Sequence, residues 1–178
     1  MLRQIISPEF TIRLAVTDDC QELASVKRKV WESTYRGIYP DAKIDNFDVK
    51  VQAEKFLKII TNPDIKLFVA VNRGKIVGYM SCGAPIRPYK DYEQEIGLLY
   101  VLKDHQGMGI GKAFFELATK EIREGGYEEF FISCNKFNAN ARNFYEYMGG
   151  KLVSVDDDKA DKSEVQVKYH YNVKKEAL

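Results

Sequence analysis

The chain has few of the features that mark secreted, membrane or metal-binding proteins. Its three cysteines, Cys20, Cys82 and Cys134, are far apart and form no CxxC or Cys/His spacing, which argues against a disulfide framework and a zinc site. No stretch approaches the roughly 18 apolar residues of a membrane span. Pro8 and Glu9 stand where a signal peptide needs an apolar run. We expect a soluble, cytoplasmic protein with free thiols, no membrane partner and no metal.

An excess of either charge is also missing. Lys and Arg number 27 and Asp and Glu 26, so the formal net charge is +1 with the two histidines neutral. This balance produces no field that would attract nucleic acid, and we expect no nucleic-acid partner. The 178 residues are enough to bury a core, and we predict one domain over residues 1–178.

Hydrophobic periodicity predicts both strands and helices along the chain. Strands are expected at 10–16, 66–71, 76–82, 93–101, 130–134, 151–155 and 165–173. Helices are expected after the Thr17-Asp18-Asp19 cap and at about 48–60, 110–123 and 139–148. This order predicts an α/β (α+β) fold, with a mixed, mostly antiparallel sheet of about seven strands flanked by about four helices.

A glycine-rich turn separates the strand at 93–101 from the helix that begins at Ile110. Gly107, Gly109 and Gly111 allow backbone N–H groups to converge on one point, and the helix N-terminus adds positive dipole character. Lys112 adds a charge at the mouth of the turn. The arrangement suits a phosphate or pyrophosphate, although an isolated turn of this kind is as often a β–α connection without a ligand.

Spacing excludes two common nucleotide-binding loops. A Walker A loop has four residues between its first Gly and the Gly-Lys pair, whereas three separate Gly107 from Gly111, and Ala113 replaces the Ser or Thr after Lys112. A Rossmann fingerprint needs GxGxxG and an acid after the next strand. This turn reads GxGxG, and the strand at 130–134 ends in Ser, Cys and Asn.

The turn resembles the Gln/Arg-x-x-Gly-x-Gly/Ala signature of the GNAT superfamily of N-acetyltransferases, with Gln106, Gly109 and Gly111 at the defined positions. Residues 138–149 resemble that family's second segment, N-x-x-A-x-x-F-Y-E-x-x-G. Two signatures one helix and one strand apart, in the expected order, make the resemblance specific from about 93 to 151. One departure is Gly150, where the family usually has Phe, and we expect it to loosen packing after the helix.

The resemblance implies an enzyme that moves the acetyl group of acetyl-CoA directly to a primary amine of a small molecule, polyamine or peptide. Contacts to acetyl-CoA are then expected mainly from the main chain of the strand before the turn and of the turn itself: Leu99, Tyr100, Val101, Gln106, Gly107, Met108, Gly109, Ile110, Gly111 and Lys112. Asn138 and Tyr145 are expected to add side-chain contacts. For Asn138, capping of the last helix is an equal alternative.

Two side chains are candidates for proton transfer. Tyr145 matches the family's tyrosine, and a phenol with a pKa near 10 can protonate a departing thiolate with a pKa of about 8.5. Glu95 lies eleven residues before Gln106 and matches the glutamate that histone-type members use as a base. Glu93 competes with it, because alternation places both on one face of the strand. The structural alternatives are a core tyrosine and a surface glutamate.

The acceptor side is predicted from aromatic residues. Trp31, Tyr35 and Tyr39 resemble the acceptor-side helix and loop of small-molecule members, and aromatic faces suit an amine; core packing is the alternative for Trp31. We expect residues 31–40 and the loop 84–92 to set acceptor choice. Cys134 is interpreted as a buried thiol rather than as an acetyl-cysteine nucleophile.

Other expectations concern the C-terminal hairpin and the kind of protein. The acidic run at 156–158 is interpreted as a solvated hairpin turn, and the alternating final strand as an edge for a homodimer. A coenzyme-A-binding sensor and a transferase of longer acyl groups stay open as alternatives. The pairing of Tyr145 with Glu95 favours an enzyme over a sensor, since a sensor would not need both.

Overall fold

The structure is a computed structural model that describes residues 5–6 and 9–173. One sheet contains the eight strands β1 (Ile5–Ile6), β2 (Thr11–Leu14), β3 (Ile65–Asn72), β4 (Lys75–Gly83), β5 (Glu95–Val101), β6 (Glu129–Asn135), β7 (Lys151–Val155) and β8 (Gln166–Asn172). The helices are α1 (Cys20–Thr34), α2 (Asp41–Asp45), α3 (Val49–Ile60), α4 (Ile110–Glu124) and α5 (Ala139–Tyr147). The strand order is β1-β2-β3-β4-β5-β6-β8-β7.

The predicted α/β fold with a mostly antiparallel mixed sheet is confirmed. Each predicted strand and helix is present with similar limits, and two short elements were missed. β1 has two residues, and α2 forms one turn after Pro40. Neither is long enough to show a hydrophobic period, which explains why periodicity did not find them.

The helices form two layers on opposite faces of the sheet. α1 and α3 bury Leu23 and Phe56 against Tyr79 in one cluster. α4 and α5 pack in the other cluster, where Phe114 and Tyr145 lie with residues of β5, β6 and β8. Burial of apolar area on both faces is the main source of stability for such a layered fold.

The sheet opens between β5 and β6, its one parallel pair. Their pairing is limited to Glu95 with Phe131 and Ile96 with Ile132, although both strands continue well beyond these residues. The register of β4 with β5 also shifts, since Ser81 pairs with Leu98 and Cys82 with Ile96, which leaves Gly97 as an extra residue in β5. A bulge of this kind bends its strand. The edge of β5 after Ile96 therefore faces a gap rather than β6.

The helices that border this gap begin in different ways. Asn138 caps α5, because its side chain accepts a hydrogen bond from the N–H of Ala141 at 3.1 Å. α4 begins after Gly109, which adopts a left-handed φ of +81° and supplies no side-chain cap. The first N–H groups of α4 are therefore left available for another acceptor.

β8 lies inside the sheet between β6 and β7, and it pairs with both. The expectation that the final strand provides an intersubunit edge is therefore wrong. Within the described residues the edge on this side is β7, where Leu152 and Val155 are exposed. Alternation along a strand specifies its two faces but not its neighbours, and so it could not place β8.

Candidate active site

A cavity of about 1480 Å³ lies where β5 and β6 diverge. Trp31 and Phe56 line it from the α1–α3 layer, and Gly111 and Tyr145 line it from the α4–α5 layer. The cavity thus reaches both faces of the sheet through the gap. Its volume exceeds the several hundred Å³ typical of a site for one small ligand.

The glycine turn forms one end of this cavity, which we call the donor end (residues 99–101, 106–112 and 138–144). Gly107 and Gly109 have φ of +78° and +81°, a region that side chains other than glycine rarely adopt. The Gln106 side-chain amide donates to the Val101 carbonyl oxygen at 3.1 Å and ties the turn to the end of β5. Backbone N–H groups at the start of α4 consequently border an open space, a local geometry that suits an anion.

Most of the predicted donor residues line the cavity. These are Leu99, Tyr100, Val101, Gln106, Gly107, Gly109, Ile110, Gly111, Lys112, Asn138 and Tyr145. Met108 differs, because its half-buried side chain packs against the core beneath the turn. Lys112 is exposed at the rim and lies 3.8 Å from Glu116, one helical turn on.

Tyr145 projects from α5 and is only 5% exposed. Its ring contacts those of Phe144 and Tyr169, with centroids 5.7 and 6.0 Å away. Burial raises the pKa of Tyr145 well above its ordinary value, and the nearby Cys134 adds to the shift. The phenol therefore stays protonated near neutral pH, as a hydrogen-bond donor must.

Gly150 helps to hold the end of this helix. A Cβ atom at Gly150 would lie 2.6 Å from the Tyr171 hydroxyl oxygen and 2.9 Å from the Tyr145 carbonyl oxygen. The Tyr171 hydroxyl donates to that carbonyl at 2.8 Å, in the space that a side chain would fill. The expectation of looser packing is wrong, since the missing side chain permits a buried hydrogen bond at the position of the candidate acid.

Glu95 lies at the start of β5 on the cavity wall and is 6% exposed. Its Oε2 accepts a hydrogen bond from the N–H of Ile86 at 2.9 Å. Burial raises the pKa of Glu95 to about 7, and the N–H groups of Ile86 and Arg87 partly oppose the shift. Glu93, its competitor, is exposed, precedes β5 and is not part of the cavity wall.

The three predicted acceptor-side aromatics form one packed cluster on the cavity wall. The rings of Tyr35 and Tyr39 stack with centroids 4.8 Å apart, and that of Trp31 is 5.7 and 5.6 Å from them. Trp31 Nε1 is buried and has no hydrogen-bond partner among residues 9–173. The cluster is both part of the packing and a surface of the cavity, so the two interpretations of Trp31 do not exclude each other.

Cys134 also lines the cavity and is 8% exposed. Burial raises its pKa to about 12, which leaves the thiol protonated near neutral pH. This property disfavours an acetyl-cysteine intermediate. Cys20, Cys82 and Cys134 are all free and buried.

The cavity wall opposite the glycine turn, which we call the acceptor end, consists of residues from α1 with the aromatic cluster, α3, the loop 84–92, Glu95 and the hairpin of β7 and β8. Arg87 and Tyr89 belong to the loop before β5 that was predicted to border the acceptor, and both line the cavity. Lys168 of β8 lines it too and was not predicted. The Lys168 ammonium pairs with Asp156 and lies 4.7 Å from the centre of the Tyr89 ring.

The interpretation of 156–158 as a solvated hairpin turn is confirmed, since the run lies between β7 and β8 and Asp157 and Asp158 are exposed. The three acids also line the cavity. Neither β8 nor the acidic run carries a sequence motif that predicts a position on the cavity wall.

Two further observations concern the chain as far as the structure describes it. No three His, Cys, Asp or Glu side chains there are grouped so as to hold a metal ion. Its helices are too short or too polar to cross a membrane.

A family model described as the acetyltransferase (GNAT) family matches residues 28–149 of the 178. The chain therefore belongs to this family and is an acetyltransferase. A curated relative, the uncharacterized N-acetyltransferase YuaI of Bacillus subtilis (strain 168), is 27% identical over 149 residues, 82% of this chain and 83% of its own. The spermidine N(1)-acetyltransferase of Thermoplasma acidophilum is 26% identical over 150 residues, 82% of this chain and 90% of its own.

Solved structures agree with this assignment at the level of the fold. The PaiA N-acetyltransferase of Thermoplasma acidophilum, in complex with coenzyme A, superposes with a TM-score of 0.73 at 23% identity, covering 93% of this chain and all (100%) of its own. The yncA protein of Salmonella typhimurium, solved with its cofactor acetyl-CoA, has a TM-score of 0.69 at 18% identity, over 96% of this chain and 97% of its own. Identities this low establish a shared fold alone.

Proposed function

We propose that this protein transfers the acetyl group of acetyl-CoA directly to a primary amine of a small molecule, polyamine or peptide. One observation carries the proposal: the uncapped start of α4, Tyr145 and Glu95 line the same cavity at the gap between β5 and β6. The start of α4 offers a site for the phosphates of acetyl-CoA, Tyr145 a proton donor and Glu95 a proton acceptor. Acetyl transfer from a thioester to an amine requires all three.

The residues of the donor end fit acetyl-CoA. The N–H groups from Gly107 to Lys112 suit its pyrophosphate, since glycine backbone and helix dipole act together on an anion. The edge of β5 after Ile96, which faces no neighbouring strand, offers backbone donors and acceptors to the amide groups of the pantetheine arm. Two of the solved neighbours hold coenzyme A or acetyl-CoA, which supports the same donor here.

Glu95 is suited to accept a proton from the acceptor amine. An amine must be neutral to attack the thioester carbonyl, and a carboxylate with a pKa of about 7 can take that proton near neutral pH. The amine nitrogen then forms its bond to the acetyl carbon as the carbon–sulfur bond breaks. Tyr145 can donate its phenolic proton to the departing thiolate and recover one from solvent after product release.

We also infer that residues 1–178 act as one domain in the cytoplasm. A single sheet runs from β1 to β8 and includes strands from both ends of the chain, which supports one folding unit. Three free, buried cysteines support a reducing compartment.

The test is a thiol-release assay with acetyl-CoA over a panel of primary amines, run beside calorimetric binding of coenzyme A. We expect saturable binding of coenzyme A and turnover of at least one class of amine. Binding of coenzyme A with no turnover of any amine would contradict the enzymatic role and favour a sensor. Propionyl-CoA and butyryl-CoA in the same assay separate an acetyltransferase from an enzyme for longer acyl groups.

A further inference from the structure

Four basic side chains line the part of the cavity next to α1 and α3, and we call them the basic cluster: Lys27 of α1, Lys55 and Lys58 of α3, and Arg87 of the loop before β5. Within residues 9–173 none of the four forms an ion pair with a carboxylate. Lys27 is half-buried, whereas Lys55, Lys58 and Arg87 are exposed. Burial of a cation without a counter-charge is costly, so Lys27 is the member that an anionic ligand on this wall would stabilise most.

Lys27 is the least exposed member of the basic cluster. Its ammonium donates to Gln52 Oε1 at 2.8 Å, which is a neutral partner, and lies 5.6 Å from the centre of the Trp31 ring. Burial lowers the pKa of Lys27 to about 8, and the charges of Lys55 and Arg87 lower it further. Lys55 and Arg87 are thus near enough to Lys27 to repel its charge, and an anion beside these three would relieve that repulsion.

Two of the acids on the same cavity wall have cationic partners, unlike the basic cluster, which has no carboxylate partner in the described part of the chain. Asp156 pairs with the ammonium of Lys168, and Asp157 lies 3.5 Å from that of Lys136. Glu95 accepts a backbone hydrogen bond and has a pKa of about 7. Asp158 and Lys159, which are adjacent and exposed on the same wall, carry opposite charges. The one group of several like charges on the wall without a carboxylate partner among the described residues is therefore the basic cluster.

The position of the basic cluster separates it from the donor end. α1 and α3 pack on one face of the sheet, whereas α4, whose start suits the donor's pyrophosphate, packs on the opposite face. Arg87 follows directly on Ile86, whose N–H is bonded to Glu95, and its charge acts on the pKa values of both Glu95 and Lys27. Trp31 Nε1 beside Lys27 is a further buried donor without a partner. Through Arg87 the basic cluster thus adjoins the candidate base, beside which the acceptor must lie.

We propose that the acceptor carries an anionic oxygen group, a carboxylate or a phosphate, besides its primary amine. Lys27, Lys55 and Arg87 bind the anionic group while the amine meets Glu95. This inference rests on the proposed function and narrows its acceptor to amines that carry a negative charge, which excludes free polyamines as the preferred substrate.

The first test compares matched acceptors. An ω-amino carboxylate and an aminoalkyl phosphate are each compared with the amino alcohol of the same chain length and with spermidine, using kcat/KM from thiol release. We expect at least one anionic amine to be preferred over its neutral analogue by about tenfold or more, since each well-placed charged contact contributes at least that much. The anionic amine with the higher kcat/KM shows whether the acceptor's anionic group is a carboxylate or a phosphate.

The second test uses variants of the basic cluster. Lys55→Gln and Arg87→Gln are each expected to lower the ratio of kcat/KM for the anionic acceptor over its neutral analogue about tenfold. Lys50→Gln removes an exposed charge of α3 outside the cavity wall and is expected to leave the ratio unchanged. A rise in the KM for acetyl-CoA with an unchanged ratio would overturn the inference, because the cluster would then serve the donor's phosphates.

The two proposals fail in different ways. Equal or better turnover of the neutral amine or of spermidine contradicts the anionic acceptor and upholds acetyl transfer. Binding of coenzyme A without turnover of any amine contradicts the proposed function and the inference with it.

Discussion

The donor end and the acceptor end of the cavity are built in different ways. The turn of the donor end is one run of chain, 106–112, in which backbone groups face the open space and two glycines permit the turn. The acceptor end is assembled from α1, α3, the loop before β5 and the hairpin of β7 and β8. A ligand common to many enzymes can be held by backbone, whereas a particular ligand needs side chains from several places.

The two ends also differ in how they respond to pH. Backbone N–H groups and a helix dipole do not titrate, so the donor end should bind equally well across the neutral range. The acceptor end contains Glu95 with a pKa of about 7 and Lys27 with a pKa of about 8. Changes of activity between pH 6 and 9 should therefore originate at the acceptor end.

The largest expected effect is that of Tyr145→Phe, which acts where the two ends meet. Loss of the proton donor should lower kcat about 10²- to 10³-fold, because general acid catalysis typically contributes that much. The ring and its packing are kept, so the free energy of unfolding should change little. Steady-state kinetics test this, with Tyr147→Phe as the control, since Tyr147 lies on the same helix and is 80% exposed. Full activity of Tyr145→Phe would refute the assignment.

Glu95→Gln should lower kcat/KM about 100-fold at pH 8. The carboxylate is the active form, so wild-type kcat/KM should fall as the pH drops below about 7, the pKa of Glu95. The kcat/KM of Glu95→Gln should not show this fall below pH 7. Glu93→Gln is the matched control, because Glu93 is exposed outside the cavity wall. If Glu93→Gln shows the loss instead, the base is Glu93.

The same Glu95→Gln substitution should stabilise the protein at pH 8. The pKa of Glu95 is raised from 4.5 to about 7 on folding, so the folded state binds the proton more tightly and ionisation above pH 7 disfavours it. Replacement by a neutral amide should raise the free energy of unfolding by about 2 kcal/mol at pH 8. The gain should shrink as the pH falls from 7 and approach zero below 4.5, where Glu95 is protonated in both the folded and the unfolded state. Urea unfolding at several pH values measures it, and equal gains at all pH values would disprove the linkage.

The smallest expected effects are those of alanine substitutions at two glycines of the donor end, which should differ from each other. Gly109→Ala places a side chain at φ +81° and should cost about 1 kcal/mol of stability and raise the KM for acetyl-CoA several-fold. Gly111→Ala should change stability and the KM for acetyl-CoA less, because its Cβ would meet only the Phe144 ring, at 3.5 and 3.7 Å, which are ordinary contact distances. Thermal unfolding and KM determinations compare them. Equal effects would mean that backbone conformation is not what selects glycine at 109.

The donor end was largely predictable because its features are local. The spacing of Gln106, Gly109 and Gly111 predicted the turn, and alternation and period predicted β5 and α4 around it. For Asn138 the sequence allowed two roles, a contact with acetyl-CoA and the cap of the last helix. Its hydrogen bond from the Ala141 N–H shows that it caps α5. A contact with the donor at the same residue stays a prediction.

The acceptor end was predictable only in part. Residues 31–40 and 84–92 were expected to border it, and both do, but nothing marked Lys27 or Lys168 as cavity residues. Each lies in an element whose polar positions resemble an ordinary solvated face. A lysine faces a cavity or solvent depending on what packs beside it, which its own neighbours in sequence do not specify.

The amino-acid sequence by itself determined the order of strands and helices, the glycine turn and the family, because each depends on residues close together in the chain. Only the tertiary structure decided that β8 lies inside the sheet and that β5 parts from β6 after Ile96. It alone also brought the four members of the basic cluster together without a counter-charge among the described residues. The physical reason is that strand neighbours and charge clusters arise from contacts distant in sequence, where burial and pairing of the whole sheet outweigh local preference.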